Sequence, residues 1–405
     1  MRIAYIVPYV PNPIRTRSYN LIKQLTSLGH DVAVFTLGSS QGDQMDAHRL
    51  KSYCHDVYYY AQPVWRSFLN SAVALPSEKP LQSVYSWQPA MARQIVQRAA
   101  QNEFDIVHVE HLRGSRFGLY LKSKLFSMPV VWDSVDCISH LFQQAAKQSR
   151  SFFGKFMTRF ELSRTRRAEG DLLGRFDHVL VTAPSDRDAL RGLVPHGKRP
   201  SEISVLPNGV DLEYFHPSAE FQRDPETIIF SGKMSYHANI SMAKYLVEEI
   251  MPRIWKFRPA AHLYIVGKDP APAIKKMTQN PQITVTGTVD DIRPFLWRAT
   301  VSVVPLLYGA GIQNKILETM AIGTPVVTTC QALSALQAQP GTDLLVSDDP
   351  DGFSQAVLQL MTNRDLQQKI SDAGMKYVRG FHSWASIASQ LVNIYQQILD
   401  SKRPS

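Results

Sequence analysis

Residues 301–327 constrain the fold of this chain more than any other stretch. Val301 to Val304 is a short, valine-rich run of the kind that forms a buried parallel strand. Gly309 and Gly311 then allow the backbone to turn tightly and to approach a ligand. Lys315 and Glu318 lie three residues apart on the helix that follows, so they share a face. Gly323 ends that helix, and Pro325-Val326-Val327 opens the next strand. A glycine loop entering a helix offers free N–H groups and a positive dipole end, which suits phosphate. Spacing alone is equally compatible with a βα turn that binds nothing.

The same alternation runs through the rest of the chain. Arg2 to Val10 reads as a strand, 11–18 as a loop, about Tyr19 to Leu28 as an amphipathic helix capped by Gly29, and His30 to Thr36 as a second strand. A βαβ unit demands a parallel sheet with right-handed crossovers. Ligands of such sheets sit beyond the carboxyl ends of the strands, which places Arg15, Thr16 and Arg17 on the ligand side, suited to phosphate or carboxylate. The strand Phe104 to His111 delivers Glu110 and His111 to the same edge. A histidine there serves as a general base, an electrostatic partner, a donor to a sugar hydroxyl, or a purely structural group. The segment 194–201, with two prolines and a glycine, reads as a linker. A second βα series starts at Thr227. The expected architecture is α/β with two Rossmann-like domains, 1–198 and 199–384. A last helix, about 385–405, is expected to pack back on the first domain.

A length of 405 residues suits two or three domains, and no apolar run approaches the ~18 residues of a membrane span. The first residues pass directly into a strand, and three scattered cysteines suit a reducing compartment, so the expected location is cytoplasmic. The net charge of +9 is unevenly placed. Residues 1–200 hold 26 lysines and arginines against 16 acids, and residues 201–405 hold 18 against 19. The first half therefore calls for an anionic partner. Residues 147–167 interleave seven basic residues with Phe152, Phe153, Phe156, Met157 and Phe160, the pattern of an interfacial helix on an anionic membrane or of a core-packed helix with a solvated basic face. No nucleic-acid motif accompanies it.

Taken together, several motifs resemble those of a family 4 retaining glycosyltransferase with the GT-B architecture, two Rossmann-like domains facing across a cleft. They are Leu28-Gly29-His30-Asp31-Val32, Asp105-Ile106-Val107-His108, Leu206-Pro207-Asn208-Gly209-Val210-Asp211, Phe230-Ser231-Gly232-Lys233, Ile265-Val266-Gly267, Val285-Thr286-Gly287-Thr288-Val289 and Lys315-Ile316-Leu317-Glu318. The subgroup they resemble serves bacterial polysaccharide and exopolysaccharide synthesis. The resemblance implies a nucleotide diphosphate sugar as donor (UDP- or GDP-linked) and a glycan or lipid-linked glycan as acceptor. It implies that Gly232, Lys233 and Lys315 meet the donor diphosphate and that Glu318 holds the ribose. Val289 would lie near the base. Gly311, Ile312 and Asn314 would hold the sugar-phosphate through backbone groups. Arg15, Arg17, Glu110 and His111 would face the acceptor, with Lys233, Lys315 and His111 nearest the chemistry. Two lysines neutralising a leaving diphosphate call for no metal or other cofactor.

Two departures bear on chemistry. The first acid of the family's E-x7-E pattern falls at Ala310, and the usual double glycine after the first strand is replaced by Arg15-Thr16-Arg17-Ser18. A nucleotide-sugar epimerase or phosphorylase on the same scaffold, and a non-catalytic nucleotide-sugar-binding subunit, are the competing readings. An NAD enzyme is disfavoured, because neither half carries G-x-G-x-x-G after its first strand.

Overall fold

The computed structural model describes the chain except residues 149–151, 195–196, 198, 309–311 and 403–405; the side chains of 144–148 and 152–159 are likewise outside the description. Gly309, Ala310 and Gly311, and most of the aromatic and basic side chains of 147–159, therefore lie outside the described residues.

The chain divides into two compact units, residues 1–207 with 384–405, and residues 208–383. The first is built on seven parallel strands: β1 (Arg2–Val7), β2 (Asp31–Gly38), β3 (Asp56–Ala61), β4 (Ile106–Glu110), β5 (Val130–Val135), β6 (His178–Val181) and β7 (Glu202–Val205). Their order is β3-β2-β1-β4-β5-β6-β7. The second has six: β8 (Asp224–Ser231), β9 (His262–Val266), β10 (Ile283–Gly287), β11 (Ala299–Val304), β12 (Val326–Thr328) and β13 (Leu345–Val346), ordered β10-β9-β8-β11-β12-β13. Both are doubly wound Rossmann orders. Each reverses direction between its first and fourth strand, β1/β4 and β8/β11, and crevices for ligands open at such switch points.

The strands read as continuous apolar runs because helices cover both faces. In β4 and β11 every residue is buried. The final helix, Trp384–Lys402, lays Trp384, Ile387, Leu391, Tyr395 and Ile398 on the first sheet beside Leu21, Ile22 and Leu25. That spacing of three and four gives one apolar stripe.

The sequence places the boundary between residues 198 and 199, whereas the division falls after Pro207. The cause is β7, which pairs residue for residue with β6 from Glu202 to Val205 and so belongs to the first sheet. The first crossover helix also begins earlier than its pattern suggests. It spans Thr16–Ser27, so Thr16, Arg17 and Ser18 form its first turn and not a loop. Gly29 follows in a left-handed conformation, φ 81°.

Candidate active site

In the second unit, the turn after β8 and the turn after β9 lie back to back. Gly232 and Gly267 have φ of 148° and 147°. A Cβ on Gly267 would stand 1.7 Å from the Gly232 carbonyl oxygen. The Gly232 N–H donates to Val266 O at 3.0 Å, closing the two turns on each other. Bare backbone is thereby presented at the switch point. Gly267→Ala meets both the clash and the wrong side of φ. It is expected to destabilise the second unit by about 3 kcal/mol or more, read as a lost or lowered calorimetric transition; a wild-type melting curve would contradict this geometry.

Above Gly232 sits Lys315, where a Cβ on Gly232 would come within 3.1 Å of Nζ. Lys315 is the second residue of the helix Asn314–Ile322. Its ammonium donates to Asn239 Oδ1 at 2.6 Å, and Asn239 Nδ2 donates to Lys233 O at 2.9 Å. This ties the Gly232-Lys233 turn to the helix. Nζ also lies 4.9 Å from the centre of the Phe230 ring. Burial pushes the Lys315 ammonium down to about 7, which Glu318 only partly opposes. Burial likewise pushes Glu318 up to about 7, with Lys315 opposing. A desolvated cation is thus held over bare backbone, and an anion would relieve it.

Among the described residues no side chain caps this helix, and its first turn carries no acid. Ile316 N–H donates to Gln313 O at 2.8 Å, and the dipole and the remaining N–H groups of the first turn suit an anion. Asn314 Oδ1 accepts from Asn208 Nδ2 at 3.4 Å. His382 holds the Asn208-Gly209 turn, with Nδ1 at 2.8 Å from Asn208 O and Nε2 at 2.9 Å from the Tyr377 hydroxyl. Beside the loop, the Tyr308 hydroxyl lies 3.1 Å from both His237 Nδ1 and Ser241 Oγ. Asn239, Tyr308 and His382 escape a motif reading because each arrives through tertiary packing. Lys233 is exposed. Ile312 packs on the main core, and Val289, beyond β10, packs in the small cluster with Ile229 and Val266.

In the first unit, two of the expected acceptor-side residues turn inward. Arg17 is 6% exposed and Asp133 is 0% exposed. Arg17 Nε and Nη2 both reach Asp133 Oδ2 at 2.8 Å, and Nη1 donates to Leu206 O at 3.0 Å. A guanidinium so engaged is a structural strut. Its early helical position, one turn before the pattern predicts, points it down into the sheet. Glu110 is buried as well. It accepts from the Tyr5 hydroxyl at 2.9 Å and from the Tyr9 hydroxyl, and burial together with the Asp133 charge pushes it up to about 7. His108 stacks on Tyr5, meets the Tyr395 hydroxyl at 2.7 Å, and is held toward the neutral form by burial.

His111 and Arg15 remain at the edge. His111 has φ 65°, a left-handed conformation that costs energy for a non-glycine residue. Its Nδ1 accepts the Arg113 backbone N–H at 3.2 Å. Burial and the Arg113 charge push the ring down to about 4. A neutral ring accepting at Nδ1 carries its proton on Nε2, so His111 offers a donor, and general-base chemistry is disfavoured. Arg15 crosses the Tyr9 ring at 5.1 Å and lies 3.6 Å from Asp43. Both arginine and carboxylate line a polar cavity of about 190 Å³ together with Tyr9, Gln62, Tyr85 and Arg113. The Gln62 Oε1 and Arg113 Nε atoms are buried with no hydrogen-bond partner among the described residues. A small cavity lined by these polar side chains suits hydroxyl groups. Gln62 and Arg113 carry no sequence signal, since neither sits in a motif.

Residues 14–214 match the model described as Glycosyltransferase Family 4, and residues 225–363 match that described as Glycosyl transferases group 1. The chain belongs to the family 4 glycosyltransferases. This family member is 24% identical over 231 residues to the putative glycosyltransferase YtcC of Bacillus subtilis, an alignment covering 49% of this chain and 55% of YtcC. It is 31% identical over 123 residues to the lipopolysaccharide core biosynthesis glycosyltransferase LpsE of Rhizobium meliloti, covering 30% and 35%. The chain thus spans about half the length, or less, of these curated relatives. Its fold is that of a sucrose-phosphate synthase from Thermosynechococcus elongatus (TM-score 0.69, 18% identity, 99% and 100% covered). Anabaena HepE in complex with UDP-glucose shares it as well (TM-score 0.68, 12% identity, 98% and 100% covered). The architecture is GT-B.

Proposed function

We propose that this family member is a retaining glycosyltransferase. It moves a sugar from a UDP- or GDP-linked donor to a glycan or lipid-linked glycan acceptor in polysaccharide synthesis, at the inner face of the cytoplasmic membrane. One observation carries the reading. The uncapped helix Asn314–Ile322 and the desolvated Lys315 both face the bare Gly232 turn at a Rossmann switch point. That arrangement suits a diphosphate, and the HepE complex with UDP-glucose is a precedent for such a donor on this fold.

Lys315 and the exposed Lys233 stabilise the departing diphosphate as its charge develops. Glu318, one turn after Lys315 on the same helix, accepts from the ribose hydroxyls. Leading N–H groups near Ile312 and Asn314 hold the sugar-phosphate, and Val289 borders the base. On the acceptor side, the His111 Nε2–H and the Arg15–Arg113 cavity bind hydroxyls. Attack from the leaving-group face lets the departing phosphate oxygen take the acceptor proton, so no side-chain base is required. Neither a metal nor another cofactor enters this scheme.

Contact with an anionic membrane is carried by the 147–167 stretch. Its described residues already bind the first unit: Arg164 Nη2 donates to Leu75 O at 2.7 Å, and Arg167 pairs with Glu78. Arg166 remains exposed for an anionic surface. No helix among the described residues is long and apolar enough to cross a membrane.

A thermal-shift panel of nucleotides and nucleotide sugars tests the donor assignment. UDP or GDP at about 100 times its dissociation constant should add about 2.7 kcal/mol of stability. Glu318→Ala should reduce that shift strongly for a nucleotide and leave the unliganded melting temperature close to wild type. A panel in which no nucleotide diphosphate moves the transition would remove the proposal.

A further inference from the structure

The first unit holds a second and larger cavity, of about 620 Å³, along the helix His111–Lys124. This is the size of a small-molecule site, commonly about 300–1,000 Å³. Its floor is apolar: Val84, Leu112 and Leu172 are buried beneath it, with Trp87 and Leu119 alongside. Its rim carries Lys79, Arg116, Arg167 and Arg175 against Glu78 and Asp171. Arg167 is paired with Glu78. Arg116 lies flat on the Trp87 ring at 4.2 Å, and neither it nor Arg175 has a carboxylate partner among the described residues.

The groove and the polar cavity are neighbours with opposite chemistry. Two adjacent residue pairs divide them. Val84 lines the groove and Tyr85 the polar cavity; Leu112 lines the groove and Arg113 the polar cavity. From Leu112, one residue after His111, the groove follows the helix to Tyr120, a span of roughly 12 Å at 1.5 Å per residue. Nearby, the helix Val64–Ala74 exposes Trp65 (66%), Phe68 (65%) and Val73 (72%), and Leu75 at its end is held by Arg164, one turn before Arg167. Large apolar side chains left in water beside a cationic groove suit an amphiphile.

We infer that the lipid-linked glycan acceptor is carried on a single-chain lipid phosphate, its polar head in the Arg15–Arg113 cavity and its apolar chain in the groove between the helix His111–Lys124 and residues 167–175. This deepens the proposed transfer reaction and rests on that reading for its head-group half. The chain buries in the groove by the hydrophobic effect, while Arg113, which lines the head-group cavity, supplies the positive charge that favours a phosphate over a neutral alcohol.

The test uses the full chain and farnesyl phosphate below its micelle concentration, followed by tryptophan fluorescence and by melting temperature. Farnesol and inorganic phosphate are the head-less and chain-less controls. Farnesyl phosphate is expected to bind at least tenfold more tightly than either. Leu119→Glu should weaken it tenfold or more. Arg113→Gln, at the head-group cavity, should weaken it severalfold and abolish the preference over farnesol. UDP is titrated into each variant in parallel. Retained UDP binding with no farnesyl phosphate binding, or farnesyl phosphate binding unaltered by both substitutions, overturns the inference alone. Loss of UDP binding in the wild type strikes the transfer reading instead. Association with phosphatidylglycerol vesicles but not with monomeric farnesyl phosphate would assign the basic surface to the membrane and also overturn the groove.

Discussion

Lys315→Ala is expected to lower kcat/KM for the nucleotide-sugar donor by about two to three orders of magnitude. The ammonium is held over Gly232 by Asn239, on a helix end with no competing acid in its first turn. Its charge is expressed fully only when an anion arrives, because burial holds it down to about 7 in the free protein. Glu318, on the same face, is held up to about 7 by the same burial. The pair therefore titrates together, and donor affinity should be bell-shaped in pH. Above pH 7 the free site has a neutral lysine and an ionised glutamate, so diphosphate binding takes up a proton and weakens by up to tenfold per pH unit. Below pH 7 the glutamate is protonated. Accepting ribose hydroxyls then requires releasing that proton, and affinity falls again. Calorimetric titration of a nucleotide sugar between pH 5.5 and 8.5 measures both limbs. Lys315→Ala should erase the alkaline limb and Glu318→Gln the acidic one. An alkaline limb that survives in Lys315→Ala would show that another group titrates there.

Much of this site is legible from residue order, for a physical reason. Gly232, Lys315 and Glu318 owe their positions to local rules: a glycine where φ is positive, and two side chains one helical turn apart. Such rules act over a few residues and leave a pattern. Gly267 is only half legible, since its motif marks a strand end but not the Gly232 carbonyl against it. Asn239 and His382 are invisible by the same standard, because each acts across a long sequence separation. The first unit is harder. Arg15 and Arg17 look alike on paper, two residues apart on one loop. A helix that starts at Thr16 turns them to different sides: Arg17 goes down to Asp133, and Arg15 stays at the polar cavity. The domain boundary failed for a related reason. Glu202–Val205 is a strand in either assignment, and only its pairing with β6 decides which sheet owns it. The aromatic and basic helix is legible as a helix, yet its arginines at 164 and 167 spend their donors on Leu75 and Glu78 within the fold.

Asp133→Asn is expected to destabilise the first unit by about 3–5 kcal/mol, the range for breaking a buried pair on one side. The substitution preserves shape and removes the charge, leaving the Arg17 guanidinium buried without its carboxylate, with the carbonyls of Leu206 and Pro207 among its remaining acceptors. Arg17 holds Asp133 below the usual carboxylate range against the opposing pull of burial. A folded pKa below the unfolded value contributes stability that is present above the unfolded pKa, about 3.9, and is lost as pH falls through the folded pKa. Urea melts should therefore show the full gap between wild type and Asp133→Asn at pH 6 and a shrinking gap below pH 4. Glu110 works in the opposite sense. Raised to about 7, it prefers its proton in the fold, so its ionisation costs stability as pH rises above its unfolded value, about 4.3, toward 7. Wild-type stability should accordingly peak on the acid side of neutrality. Replacing both partners, Arg17→Met with Asp133→Leu, should recover most of the loss, because an apolar pair of similar volume needs no compensation. The same series separates strut from substrate contact. Arg17→Lys should lower the melting temperature and leave the acceptor KM near wild type; an acceptor KM raised tenfold at unchanged melting temperature would return Arg17 to the acceptor side.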